Sequence, residues 1–162
     1  MRAHARLLAV LAAVPLALAC RSPSTASEAD ERAAIDRVLD GWHAAAARAD
    51  LDGYLGVMDE DAVYLGTDAT ERWTQPQFRA FCAPYFAEGR GWKYEPRERH
   101  VVVEGDLAWF DEHLVNEKYG DCRGTGVLRR RDREWKLAHY SLTFLIPNER
   151  ARAVIELVRG KS

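Results

Sequence analysis

An aspartate and a histidine two positions apart in a strand-like run are residues that could do chemistry. In AWFDEHL, residues 108–114, alternation puts Trp109, Asp111 and His113 on one face and Phe110, Glu112 and Leu114 on the other. Asp111 and His113 then stand about 7 Å apart. Tyr140 lies in a second such run, LAHYSLTF. A carboxylate, an imidazole and a phenol in an apolar enclosure can move a proton, with Asp111 or His113 as base and Tyr140 as donor. A register one residue away presents Glu112, His139 and Ser141 instead. The same residue types also serve as a surface pair, as an ion pair with Arg129, or as a hydrogen-bonded wall aromatic. His139 and Ser141 lack a nucleophile-elbow context, which argues against a Ser-His hydrolase. No spacing supplies a third and fourth metal ligand, and no Gly-rich phosphate loop is present, so neither metal nor cofactor is expected.

The elements that must position these residues follow from period and punctuation. GTGVLRRRDREWKLAHYSLTFLIPNE, residues 124–149, reads as two strands, Gly124–Arg130 and Trp135–Ile146, joined by a polar turn around Asp132. The second is longer than an ordinary strand and stops at Pro147, which places it centrally in a strongly bent sheet. Before it come Trp92–Val103, with a bulge or edge at Pro96, then Leu107–Lys118 and Cys122–Arg130. The first half is helical. Ser27 with Asp30 caps a helix whose Ile35, Val38, Leu39, Trp42 and Ala46 share a face, with His43 flanking it as a helix-surface histidine. Asp50 caps a short second helix, and Ala62–Leu65 is a short strand running into the loop Gly66–Arg72, where Thr67-Asp68 and Glu71-Arg72-Trp73 read as the rim of a pocket. Thr74 with Gln77 caps a third helix carrying Phe78, Phe81, Cys82, Tyr85 and Phe86, which Pro84 should kink or end. Asn148 caps a last helix stopped by Gly160. The order implies an α+β fold, helices on one face of a curved sheet.

Length and charge narrow the function classes. The chain has 162 residues, 48% of them hydrophobic, and a net charge of −2, which suits one domain, residues 28–162, and argues against nucleic acid as a partner. Arg2, His4 and Arg6 precede the apolar run Leu7 to Ala19, so residues 1–19 read as a signal peptide. Ala17-Leu18-Ala19-Cys20 is both an A-x-A cleavage site and similar to a lipobox, with Cys20 as the lipidated or simply exposed mature N-terminus. Residues 20–27 form the tether. The chain is therefore expected to be exported to the cell envelope as an outer-membrane or periplasmic lipoprotein, held to the membrane by its N-terminal lipid. Outside the cytoplasm Cys82 and Cys122 could pair or remain buried thiols.

Three segments carry a family resemblance: ARADLDGYLGVMDEDAVYLGTDATERW (47–73), AWFDEHL (108–114) and the run 124–149. They resemble the nuclear transport factor 2-like superfamily, in its SnoaL-like branch. The resemblance implies a cone-shaped α+β barrel, three N-terminal helices packed on a curved antiparallel sheet with a C-terminal helix. It also implies a pocket between helices and sheet, and a homodimer through the sheet. In similar proteins the Asp111 parity and the Tyr140/Leu142/Phe144 parity both look inward. That would line the pocket with Trp42, Tyr64, Trp73, Phe81, Tyr85, Trp109, Leu142 and Phe144 around Asp111, His113 and Tyr140. Matched to the ketosteroid isomerases of this fold, the catalytic positions fall at Trp42, at or next to Gly66, and near Gly126. Two glycines can neither take nor give a proton. The expectation is a small-molecule binding module for a partly apolar ligand. The alternatives are a cofactor-free isomerase, dehydratase or cyclase, and an envelope scaffold whose pocket is filled by its own side chains.

Overall fold

Residues 27–160 are described by the structure, a computed structural model; residues 1–19 read as a signal peptide, Cys20 and residues 21–26 read as a tether lie outside them. The elements run α1 (Glu28–Ala47), α2 (Leu51–Gly56), β1 (Met58–Leu65), β2 (Arg72–Thr74), α3 (Gln75–Ala87), β3 (Glu95–Glu104), β4 (Leu107–Asn116), β5 (Gly120–Arg131), β6 (Glu134–Phe144) and α4 (Asn148–Val158). Ser27 and Asp30 cap α1 reciprocally, and α1 buries Ile35, Leu39, Trp42, Ala45 and Ala46. His43 is buried with them rather than lying on the helix surface. Thr74 and Gln77 form the box that starts α3, and α3 continues past Pro84 to Ala87. Pro84 stands in the last turn, where one lost bond leaves little helix to break. The last helix begins at Asn148 behind Pro147, with no side-chain cap.

The strands form one sheet in the order β2-β1-β6-β5-β4-β3. The last four make an antiparallel meander, and the long β6 sits inside the sheet, between β5 and β1. β1 joins β6 in parallel, and β2, unforeseen between the expected loop and the third helix, pairs back on β1. The sheet curves under the helices but does not close, since β2 and β3 remain edges. Edge strand β3 carries its irregularity at Pro96, where a missing donor is tolerated. A second bulge leaves Ala138 of β6 without a partner, between the pairs Val127–His139 and Leu128–Leu137. The extra residue shifts the phase, so Trp135 and Leu137 on one side and Tyr140 and Leu142 on the other all face the core. Asp132 and Arg133, both at positive φ, turn β5 into β6 as a two-residue hairpin needs.

Trp42, Tyr54, Phe78, Leu114, Leu128 and Tyr140 lie at the centre of the core. α4 buries no residue, and Leu157 and Val158 are exposed on it. After α3 the chain passes beneath the end of α1 at Gly91, where any Cβ would collide with the carbonyl of Ala46. Both sides of that contact are backbone, so neither can turn away. Gly91→Ala is therefore expected to destabilise the protein by about 1–3 kcal/mol in urea unfolding, whereas Gly56→Ala, with open space around it, should not.

Candidate functional site

The sheet register decides which row faces the helices. Phe110 pairs with Gly126 and Gly126 with Tyr140, while Asp111 pairs with Thr125 and Thr125 with Ser141. Residues in one such row point the same way. Asp111 and Tyr140 therefore cannot share a face. Tyr140 looks inward, and with it Phe110, Glu112 and Leu114, all buried. Asp111, His113 and Trp109 are turned to the opposite face, where Trp109 is 45% exposed. His113 there pairs with Asp121 at 3.0 Å rather than with Asp111. The general-base assignment to Asp111 or His113 behind the helices is corrected accordingly. Of the alternative set, Glu112 points inward, while His139 and Ser141 lie half-buried in the outward rows with Val127 and Thr125.

Glu112 is fully buried. His43 of α1 places Nε2 2.8 Å from Oε1, an arrangement that requires the proton on Nε2. The Tyr140 hydroxyl donates to the same oxygen at 3.2 Å, and Arg99 Nε donates to Oε2 at 3.0 Å. Arg99 in turn donates from Nη1 to Asp36 and Asp40, at 3.1 and 2.9 Å. Asp36, Asp40 and His43 recur at helical spacing, so one face of α1 meets β3 and β4 through charge. Gly124, opposite Glu112, makes room: a Cβ there would collide with the Tyr140 hydroxyl and stand 2.8 Å from Oε1. Burial alone would raise the carboxyl pKa of Glu112. The His43 hydrogen bond and the charges of His43 and Arg99 outweigh it, and the net shift is downward. Burial and the Glu112 charge hold the Tyr140 hydroxyl well above its ordinary value. A carboxylate, an imidazole and a phenol thus do come together, but in a closed place. Arg99 Nη2 and Trp42 Nε1 are buried without a partner among the described residues.

A separate cavity of about 850 Å³ opens beside this network. β1, β6 and β2 contribute Tyr64, Leu142 and Trp73. α3 contributes Phe78, Phe81 and Tyr85, and the segment before β3 contributes Trp92 and Tyr94. Glu71, Asn116, Lys118 and Tyr119 complete the polar side. The rings form a continuous wall: Trp73 stacks on Phe81 at 4.6 Å, and Tyr64 on Phe78 at 3.9 Å. Trp92 donates to the Tyr54 hydroxyl at 3.3 Å. Of the residues assigned to a pocket, Tyr64, Trp73, Phe81, Tyr85 and Leu142 stand on this wall. Trp42 does not; it is buried in the core, stacked on Tyr54 at 5.0 Å. Trp109 is on the far face, and Phe144 lies at the strand end against Tyr119, 5.1 Å away. Tyr140 is committed to Glu112. Thr67, Glu71 and Trp73 come from the segment read as a rim and Phe78 from the helix stripe already read; Tyr94 lay in the run read as a strand, and Tyr119 comes from the turn after β4, which no periodicity marks.

The isomerase positions have other occupants. Gly126 accommodates the Phe110 ring, and a side chain at Gly66 would collide with the Glu71 carboxylate. Cys82 and Cys122 are buried free thiols, that of Cys82 pushed up to about 12 by burial. Among the described residues no group of three or more His, Cys, Asp or Glu is placed to hold a metal ion.

A family model described as a SnoaL-like domain matches residues 35–147. Solved structures show the same fold at low identity. A nuclear transport factor 2-like protein of unknown function from Pseudomonas putida KT2440 is 20% identical, over 76% of this chain and 92% of its own, with a TM-score of 0.63. A cystatin-like domain of unknown function from Nostoc punctiforme PCC 73102 is 19% identical, over 83% and 98%, at 0.64. A Streptomyces avermitilis protein proposed to be a dehydratase of the nuclear transport factor 2-like family is 15% identical, over 75% and 100%, at 0.63. No curated protein matches the chain.

Because the Glu112 pKa is lowered from its ordinary value of 4.5, its contribution to stability is complete above that pH and disappears as pH falls through the folded-state value. Glu112→Gln should cost about 3 kcal/mol in urea unfolding at pH 7, by leaving Arg99 short of a countercharge. The gap between variant and wild type should narrow below the unfolded value of 4.5. A gap independent of pH would assign the loss to packing.

Proposed function

The chain belongs to the SnoaL-like domain family, and on that premise we propose that it is a binding module for a small, partly apolar molecule. The cavity carries this reading. Its open volume of about 850 Å³ is walled by aromatic rings from β1, β2, α3, the segment before β3 and the turn after β4, which is how pockets for drug-sized molecules are built. The pocket is not filled by its own side chains, which counts against a scaffold. The inward carboxylate, imidazole and phenol hold one another and are not on the cavity wall, which favours binding over general acid/base turnover. The neighbour proposed as a dehydratase shares the fold at an identity too low to transfer its chemistry.

The rest of the proposal concerns place and assembly. Among the described residues no helix is long and apolar enough to cross a membrane. Export through residues 1–19 and attachment through a lipid on Cys20 would therefore hold the domain at the envelope surface. Val102 and Trp109 are adjacent and exposed on the outer face of the sheet, with Leu107 close by. Such a patch suits a homodimer formed sheet to sheet.

A neutral fluorescent probe, N-phenyl-1-naphthylamine, should bind the described domain and be weakened about tenfold or more by Trp73→Ala, given the usual weight of a buried aromatic contact. Asp111→Ala, on the other face of the sheet, should leave the titration unchanged. Loss of binding in Asp111→Ala with none in Trp73→Ala would contradict the assignment.

A further inference from the structure

The geometry points to a cationic ligand: an apolar ring system bearing an amino or quaternary ammonium group, with that group set against the Glu71 carboxylate and the aromatic wall. This rests on the cavity being the binding site and goes further by fixing the charge of what enters. Glu71 is held by its loop. Its backbone closes onto Gly66 and Asp68 at 2.9 Å each, and Asp68 is itself tied to Thr70. The absence of a side chain at Gly66 leaves the space that the carboxylate occupies. Glu71 Oε2 accepts one hydrogen bond, from the Asp68 N–H at 3.1 Å. Among the described residues no basic side chain lies within ion-pair distance of it.

The other charged groups on the wall are already engaged or are also acidic. Lys93 is paired with Glu95 at 2.6 Å. The Lys118 ammonium sits over the Tyr119 ring, 4.8 Å from its centre. With Glu117, three carboxylates face two ammoniums around the cavity. The rings themselves are used as cation acceptors, since Arg90 also stacks over Tyr85 at 4.9 Å.

Ligand charge then decides the energetics of filling the space. A neutral apolar molecule would strip water from Glu71 and return no countercharge, which is costly. An anion would add repulsion. An ammonium would replace the lost water with a charge-assisted hydrogen bond and gain the ring quadrupoles beside it.

Three indoles of matched shape test this by calorimetry at pH 7: tryptamine, indole-3-ethanol and indole-3-acetate, carrying positive, no and negative charge. Tryptamine should bind about tenfold or more tightly than indole-3-ethanol, as expected for one desolvated charge pair with a cation–ring contact, and indole-3-acetate should bind weakest. Glu71→Gln, whose amide oxygen can still accept from Asp68, should remove the preference by weakening tryptamine and, with no charge left to desolvate, by tightening indole-3-ethanol. Equal binding of tryptamine and indole-3-ethanol, or a preference surviving in a folded Glu71→Gln, would overturn the charge assignment while leaving the pocket standing. Absence of binding by all three indoles would overturn both.

Discussion

A carboxylate buried in the core is the constraint around which this domain is arranged. An ionised side chain taken out of water is destabilising unless donors meet it with good geometry. Glu112 is met by three, from α1, β3 and β6: His43, Arg99 and Tyr140. Each donor fixes a relation between elements. His43 sets how α1 turns toward the sheet. Arg99 extends the contact to Asp36 and Asp40, so that the polar side of α1 is anchored at β3. Tyr140 needs the bulge at Ala138 to point inward, and Gly124 must lack a side chain for the hydroxyl to reach.

This arrangement divides the space between helices and sheet. One end is closed around Glu112, and its acid/base groups are spent on one another. The other end is open and lined by rings. The two are joined by aromatic packing: Trp42 meets Tyr140 edge-on at 4.7 Å and stacks on Tyr54, which meets Trp92 at 6.2 Å. The closed, hydrogen-bonded end thus packs directly behind the wall of the open one.

Much of the fold was legible in the sequence. Helical spacing marked Ile35, Leu39 and Trp42 as a buried face, capping boxes marked Ser27 and Thr74 as helix starts, and strand runs marked the meander. The site was harder, because alternation tells which residues share a face but not which face is inside. In β4 the parity carried over from similar proteins put Asp111 and His113 in the inward row, which is the outward one here. A better signal was present: Ala108, Phe110 and Leu114 make the other row the more apolar one, with Glu112 among them. A single acid in an otherwise apolar row is a buried acid awaiting partners. Gly124 and Gly126 on the neighbouring strand were the second clue, as places where large inward groups need room. The short β2, the parallel pairing of β1 with β6, and the placement of Tyr119 depend on loop closure and long-range register, which leave no local pattern.

The most direct test uses the five tryptophans of the chain as reporters, through the indole N–H resonances of the ¹⁵N-labelled domain titrated with indole-3-ethanol. Trp73 and Trp92 line the cavity, Trp42 and Trp135 are buried away from it, and Trp109 lies on the far side of the sheet. Movement of the Trp73 and Trp92 signals, with the other three still, is the result this account predicts. Movement of Trp109 with Trp73 and Trp92 unchanged would put the ligand on the outer face of the sheet and contradict it.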